Sequence, residues 1–281
     1  MTPTFTLFAL LIAAGSGFLG ALLGLGGGVI MVPLLVFLLD VPIRYAAGAS
    51  IIAVVATSSA ATSVYVKNEI TNIKLGMFLE LATTLGALSG ASLMAITSES
   101  FLQTLFGATL LYAAIVMGNR MRSSATGWSY KPNDWMAEKL ELGGSYWDDA
   151  AQEQVSYGVN RTLPTFVISY LAGIISGLLG IGGGGVKVPA MNVLSNVPMK
   201  VSVATSNFMI GVTASASALV YLRHGYCDFF ITGPVVLGTL IGSFFGAKAT
   251  KHIQGTSLTK LFVVVLIILG LRMIVSGVGL F

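Results

Sequence analysis

Two glycine runs carry the first chemical signal. Gly24-Leu25-Gly26-Gly27-Gly28 precedes Val32-Pro33, and Gly180-Ile181-Gly182-Gly183-Gly184 precedes Val188-Pro189. Glycine lacks a Cβ, so the backbone at Gly26, Gly27 and Gly28, and at Gly182, Gly183, Gly184 and Gly185, can take positive φ and approach a ligand closely. A helix restarting after such a break exposes free N–H groups and the positive end of its dipole. That is anion-binding chemistry. Lys187 follows Gly184 inside an apolar stretch, where the first copy has Met31. An ammonium in an apolar helix is costly and points to function. Three roles are open to it: attracting an anion, snorkelling to an interface, or neutralising Glu80.

Other polar residues extend the pattern. Val41-Pro42 and Val197-Pro198 precede Arg44 and Lys200, which could draw an anion inward or serve as ordinary basic loop residues. Next comes a hydroxyl-rich segment in each half: Ser50, Thr57, Ser58, Ser59 and Thr62, then Ser202, Thr205, Ser206, Asn207, Thr213, Ser215 and Ser217. Ser50, Thr57, Ser206 and Asn207 are the proposed site-lining members, because hydroxyls and an amide can replace water around an oxyanion. Small polar residues also pack membrane helices without any ligand. Glu80 is the acid placed within an apolar segment and is the proton-coupling candidate, with an interfacial or lysine-paired carboxylate as the other reading. Catalytic triad, nucleotide motif and metal-binding cluster are all missing from the sequence, which has one cysteine, Cys227, and two histidines, His224 and His252. No enzyme, cofactor or metal is expected.

The elements that must position these residues are membrane helices. The chain is 55% hydrophobic and 9% charged, far below the roughly 25% charge of soluble domains. Lipid must be its solvent. Apolar stretches near or above the roughly 18–20 residues that span a bilayer fall at about 5–38, 46–66, 75–96, 101–118, 165–194, 202–222, 229–247 and 258–280. The expectation is an all-α polytopic membrane protein with about eight transmembrane helices plus glycine-broken half-helices. The net charge of +4 sits between apolar segments and forms no dense basic run, so nucleic acid is not an expected partner.

An ungapped offset of 156, from Gly24 to Gly180, aligns much more than glycines. It pairs Gly17 with Gly173, Arg44 with Lys200, Ser50 with Ser206, Tyr65 with Tyr221, Gly86 with Gly242, and Gly90 with Gly246. We divide the chain into a first membrane repeat, 1–118, a hydrophilic central loop, 119–162, and a second repeat, 163–281. The central stretch holds six of the eleven acids and all three tryptophans, Trp128, Trp135 and Trp147. A short amphipathic helix is expected near Trp135–Leu142, with tryptophans at the membrane surface.

Basic residues at Lys67–Lys74 and 119–162 place those loops on one side, read as cytoplasmic. Broken segments that cross once would make the repeats parallel. Segments that turn back would make them inverted, bringing Lys200, Lys248, Lys251 and Lys260 to the same side. The inverted form gives the cleaner charge asymmetry and is preferred. A duplicated membrane chain with a broken helix in each half is the pattern of a secondary transporter, with movement between the two repeats. A channel, or a sensor working through the central loop, stays open, as does assembly into a homo-oligomer.

The paired Gly-x-Gly-Gly-Gly…Val-Pro phrases, at 24–33 and 180–189, and the Val-Pro-x-Arg/Lys phrases at 41–44 and 197–200, resemble the TauE/SafE family, also called the 4-toluene sulfonate uptake permease family. Size, duplication and the long central loop fit over essentially the whole chain. The resemblance implies a transporter of small sulfur-containing anions (sulfite, sulfonates or sulfoacetate), in most cases an exporter of the bacterial inner membrane coupled to protons. Its partners would be a small sulfur oxyanion and the lipid bilayer.

Overall fold

A computed structural model of the chain describes residues 3–23, 25–123, 130–148, 152–249 and 256–279. Gly24, Trp128, Lys251 and His252, named above, lie outside the described residues. The first repeat contains α1 (Pro3–Leu23), α2 (Gly28–Leu39), α3 (Ile43–Lys67), α4 (Ile73–Met94) and α5 (Glu99–Ser123). The central segment forms α6 (Trp135–Lys139) and strands β1 (Gly144–Asp148) and β2 (Glu153–Tyr157). The second repeat contains α7 (Thr162–Leu179), α8 (Gly184–Pro189), α9 (Met199–Arg223), α10 (Phe229–Ala249) and α11 (Thr256–Gly277). Seven of the described helices are long and apolar enough to cross a membrane. The 22-residue α11 covers the eighth expected stretch, with a shorter apolar part, Val263–Gly277.

The repeats are inverted. The start of α3 meets the end of α9, where the bare Cα face of Gly48 abuts the Tyr226 carbonyl. The other end of α3 meets the start of α9, where the Asn72 N–H donates to Thr205 Oγ1 at 3.0 Å. Between them the Ser58 hydroxyl donates to the Asn207 carbonyl. Equivalent helices therefore run antiparallel. Each break sends the chain back to the side it came from.

The repeats also exchange helices. Gly238, Gly242 and Gly246 of α10 lie against the carbonyls of Leu10, Ala14 and Phe18 in α1. Gly86 and Gly90 of α4 lie against those of Tyr170 and Ile174 in α7, the same contacts moved by 156 residues. Small residues let these backbones approach closely, which is how helices associate without a hydrophobic drive between them. Gly17, Gly173 and Gly177 make similar contacts with Thr239, Thr83 and Ala87. Two lobes result: α1, α3 and α10 against α4, α7 and α9. Each takes helices from both repeats.

The same symmetry fixes a pair of tyrosines. Tyr65 donates to the Ala21 carbonyl at 3.1 Å, and Tyr221 donates to that of Gly177 at 2.9 Å. Each closes a carbonyl near the end of a broken span. Tyr65→Phe and Tyr221→Phe should each lower stability by about 1 kcal/mol, measured as thermal unfolding in detergent. Tyr221 is fully buried and also reaches the Leu178 carbonyl; an unchanged melting temperature in either variant would contradict this account.

The central segment is more ordered than a hydrophilic loop. The expected short helix is there as α6, joined by an antiparallel hairpin that pairs Gly144 with Tyr157 and Asp148 with Glu153. Trp135 and Trp147 are largely exposed. The segment touches both repeats. Asn72 donates to the Leu142 carbonyl at 2.7 Å and to the Tyr157 hydroxyl at 3.0 Å. Lys74 bonds Glu141 at 2.5 Å, and Lys200 bonds Asp148 at 2.6 Å. Lys67, Lys74, Lys200 and Lys248 thus share the end that carries the central segment. Asp40, Arg44, Glu99 and Asp228 mark the opposite end.

Asp134 ties α6 to α7, accepting from the N–H and hydroxyl of Thr162 and from the Ala137 N–H at 2.7–2.8 Å. Burial alone would raise its carboxyl; these donors more than offset that and hold it below the usual carboxylate range. The stability it contributes is present above the ordinary aspartate value and lost as pH falls through the lowered one. Amide exchange in α6 should accelerate in acid for this reason. Asp134→Asn should exchange fast already at neutral pH, and unchanged protection would count against the tie.

Candidate functional site

The two glycine breaks meet at the pseudo-twofold axis. Gly26 and Gly27 have φ of 80° and 74°, and Gly182 and Gly183 have 77° and 74°. Gly26 and Gly182 both lie against the same two side chains, Val54 of α3 and Ile210 of α9, which are themselves repeat partners. A Cβ on Gly28 would lie 3.0 Å from the Gly180 carbonyl. Ser50 crosses between repeats and donates to that carbonyl at 2.8 Å. Neither α2 nor α8 has a side-chain N-cap. Their first N–H groups therefore need a ligand or water.

Buried hydroxyls flank each break. Ser16 is 2% exposed, with its carbonyl beside Gly27, and Ser176 is fully buried beside Gly183. Neither Oγ has a hydrogen-bond partner. An unmet buried hydroxyl is rare and marks a place where a ligand or water belongs. Sequence reading missed both serines, since they sit among the small residues that pack α1 and α7. One signal was present: each lies within about two or three helical turns before a glycine run.

Beyond the glycines the two helices differ from each other. Pro33 sits inside α2 without ending it, because the flanking turns are buried and packed. Pro189 closes α8, and the backbone continues as one π-turn, Ala190–Leu194. The ring blocks a normal α-helical turn there, and the wider turn takes up the mismatch.

The second break carries the charge. Lys187 is 1% exposed, which removes the snorkelling alternative. Its Nζ donates to Thr213 Oγ1 at 2.7 Å and lies 3.8 Å from Glu80 Oε2. Glu80 is 5% exposed and accepts from Thr213 at 2.6 Å, and from Thr83 and Thr84 at 2.8 Å each. The Thr213 hydroxyl accepts from the ammonium and donates to the carboxylate, linking α8, α9 and α4. A Cβ on Gly183 would stand 3.3 Å from Lys187 Cε, so the lysine stem runs along the break. At the symmetric place the first break has Met31 and Val236 instead of Lys187 and Glu80. Thr83 and Thr84 were not singled out from sequence, because their link to Glu80 is local but Glu80's link to Lys187 is not.

The remaining candidates divide. Thr57 is buried, but its hydroxyl bonds its own helix at the Ala53 carbonyl. Ser206 is fully buried in α9. Asn207 bonds the Val203 carbonyl through Nδ2 at 3.0 Å, while its buried Oδ1 has no partner. Gly184 and Gly185 are buried at the start of α8. Arg44 and Lys200 stand at opposite ends of the molecule and do not form one funnel. Arg44 donates to the Thr97 carbonyl at 2.9 Å and the Tyr226 hydroxyl at 3.3 Å, with Glu99 at 4.0 Å. A groove of about 360 Å³ lies between α3 and α9, lined by Ser58, Ser59, Thr62, Phe208, Gly211 and Ser215. It begins one residue beyond the Val54 and Ile210 pair. Among the described residues no group of three His, Cys, Asp or Glu is placed to hold a metal.

The family model described as "Sulfite exporter TauE/SafE" matches residues 8–273. A "Probable membrane transporter protein YunE" of Bacillus subtilis is 26% identical over 96% of this chain and 98% of its own length. A "Probable membrane transporter protein" of Haemophilus influenzae is 28% identical over 96% of this chain and 98% of its own. A "Sulfite exporter TauE/SafE family protein 6" of Arabidopsis thaliana is 29% identical over 33% of this chain and 22% of its own. No solved structure matches. Inverted repeats, two meeting breaks and a match over nearly the whole length agree: the chain belongs to the TauE/SafE sulfite exporter family.

Proposed function

We propose that the chain is a secondary active transporter of small sulfur-containing anions, namely sulfite, sulfonates or sulfoacetate. It works as an exporter coupled to the proton gradient and catalyses no reaction. The anion binds where the two uncapped helix starts meet, and that meeting of the starts is the observation that carries the proposal. The unmet hydroxyls of Ser16 and Ser176 add donors of the kind an oxyanion needs, and Lys187 adds positive charge. The family's name supports the sulfur chemistry. The positive-inside rule supports a plasma-membrane orientation with Lys67, Lys74, Lys200, Lys248 and the central segment in the cytoplasm.

The lobes, and not the sequence repeats, are the units proposed to move. α1 is bound too closely to α10, and α7 to α4, for either repeat to shift alone. Val54 and Ile210 lie between the lobes at the breaks, and the groove beside them opens toward the half of α3 nearer Lys67. Rocking of one lobe on the other about this pair would expose the site alternately. Proteoliposomes should show saturable sulfite or sulfonate flux with counterflow, changed by a pH gradient. Unsaturable conduction would mean a channel instead. No flux of sulfite, methanesulfonate or sulfoacetate under any gradient would sink the proposal.

A further inference from the structure

The Lys187–Glu80 pair is neutral overall, buried and present in only one of the two breaks. Lys187 Cε and Ser176 Cβ both lie against the bare Cα face of Gly183, and the Ser176 hydroxyl has no partner. Glu80 is the single acid within reach of the ammonium among the described residues. Around the pair, α7 presents the unpartnered hydroxyls of Ser169 and Ser176, and its Tyr170 sits at Gly86, 38% exposed. On α9, Lys200 is bound to Asp148, Tyr221 to Gly177, and Arg223 ends the helix. On α4 itself, Lys74 is bound to Glu141. Among the described residues no second charge lies within salt-bridge reach of the pair to balance a newcomer.

We propose that the Glu80 carboxylate is a built-in stand-in for the transported anion, and that an arriving oxyanion displaces it from Lys187 as Glu80 takes up one proton. This rests on the anion site proposed above. The exchange breaks one ion pair and forms another, between Lys187 and the oxyanion. One proton from solution converts the carboxylate into a carboxylic acid, and no other bond changes. A monoanion entering without that proton would leave a net negative charge at membrane depth, which is costly. With it the site is neutral before and after. Thr83 and Thr84, whose hydroxyls now donate to the carboxylate, can rotate and accept from the acid. Anion and proton therefore bind together and travel in the same direction, so export runs down the anion's own gradient and carries a proton out with it, against an inside-alkaline pH gradient. Acid on the side of departure speeds flux, and acid on the far side slows it.

The test is binding of sulfite and of methanesulfonate to the purified full chain, from mildly acidic to mildly alkaline pH. Native protein is compared with Glu80→Gln and with the double variant Glu80→Val, Lys187→Met, which copies the first repeat. Methanesulfonate stays ionised throughout, and the titration of sulfite itself cancels in the ratio of native to variant. Native affinity should fall by about tenfold per pH unit on the alkaline side, with about one proton taken up per anion bound. Glu80→Gln should bind with no such slope and take up no proton. The double variant keeps the test alive if the single one fails to fold: without the ammonium it should bind either anion more weakly than native at acid pH, with no slope and no proton uptake. Native binding without proton uptake, or a slope that persists in either variant, overturns the stand-in role but leaves the anion site intact. No binding of either anion by any form overturns both.

Discussion

Lys187→Met alone is expected to be among the most damaging single changes in the chain. It removes the counter-charge of a carboxylate that is 5% exposed and leaves three threonine hydroxyls facing it. Breaking a buried ion pair by deleting one partner costs about 3–5 kcal/mol, a large share of the total for most folded domains. Methionine itself fits, because Met31 fills the matching place in the first repeat with no exposure. The loss should therefore come from charge and not from volume. Adding Glu80→Val, after Val236, should restore most of the stability while sulfite flux stays absent. The measurement is thermal unfolding in detergent of the two single variants and the double, read as a double-mutant cycle. Additive effects, with no recovery in the double variant, would show that the two residues do not interact as a pair.

What the sequence made legible follows from the physics of duplication. A shift of 156 residues predicts not just glycines but contacts: Tyr65 and Tyr221 make the same bond, and Gly86 and Gly242 touch the same kind of carbonyl. The charge asymmetry pointed to inversion, because loop lysines report which side a helix end reaches. The meeting of the breaks follows from the same physics, since inverted halves bring equivalent positions to a common axis. Long-range pairing was not legible. Nothing in the apolar stretch 75–96 says that it will lie along α7 instead of the helices of its own repeat. Lys187 had Glu80 among three alternatives because no periodicity links residues on separate helices. The hairpin at Gly144–Tyr157 was missed because its strands are short and polar, with weak alternation. Arg44 and Lys200 were read together because the repeat relates them. Inversion then sends them to opposite ends, so the symmetry that aligned them also separates them.

Gly182→Ala should be the second severe change, and it isolates the break from the charge. Gly182 has φ of 77°, where a Cβ costs about 1–2 kcal/mol. The added methyl would also stand 2.8 Å from both Ile210 Cγ2 and Val54 Cγ1, closer than carbon atoms can sit. Those side chains touch Gly26 as well, so any shift they make passes into the other break. Overpacking of this kind costs about 1–3 kcal/mol more. Gly185→Ala is the control: it lies in the same glycine run, its φ is not positive, and its nearest neighbour would be Ala113 Cβ at 3.7 Å. It should leave stability near native. Val54→Ala combined with Gly182→Ala removes the clashing Val54 Cγ1 but not the backbone strain, so its cost should be less than the sum of the two single changes. Equal tolerance of alanine at 182 and 185 would mean that the breaks are ordinary flexible loops. A loss at 182 alone would tie function to the fixed backbone at the axis, where the two helix starts must stay open for an anion to be held.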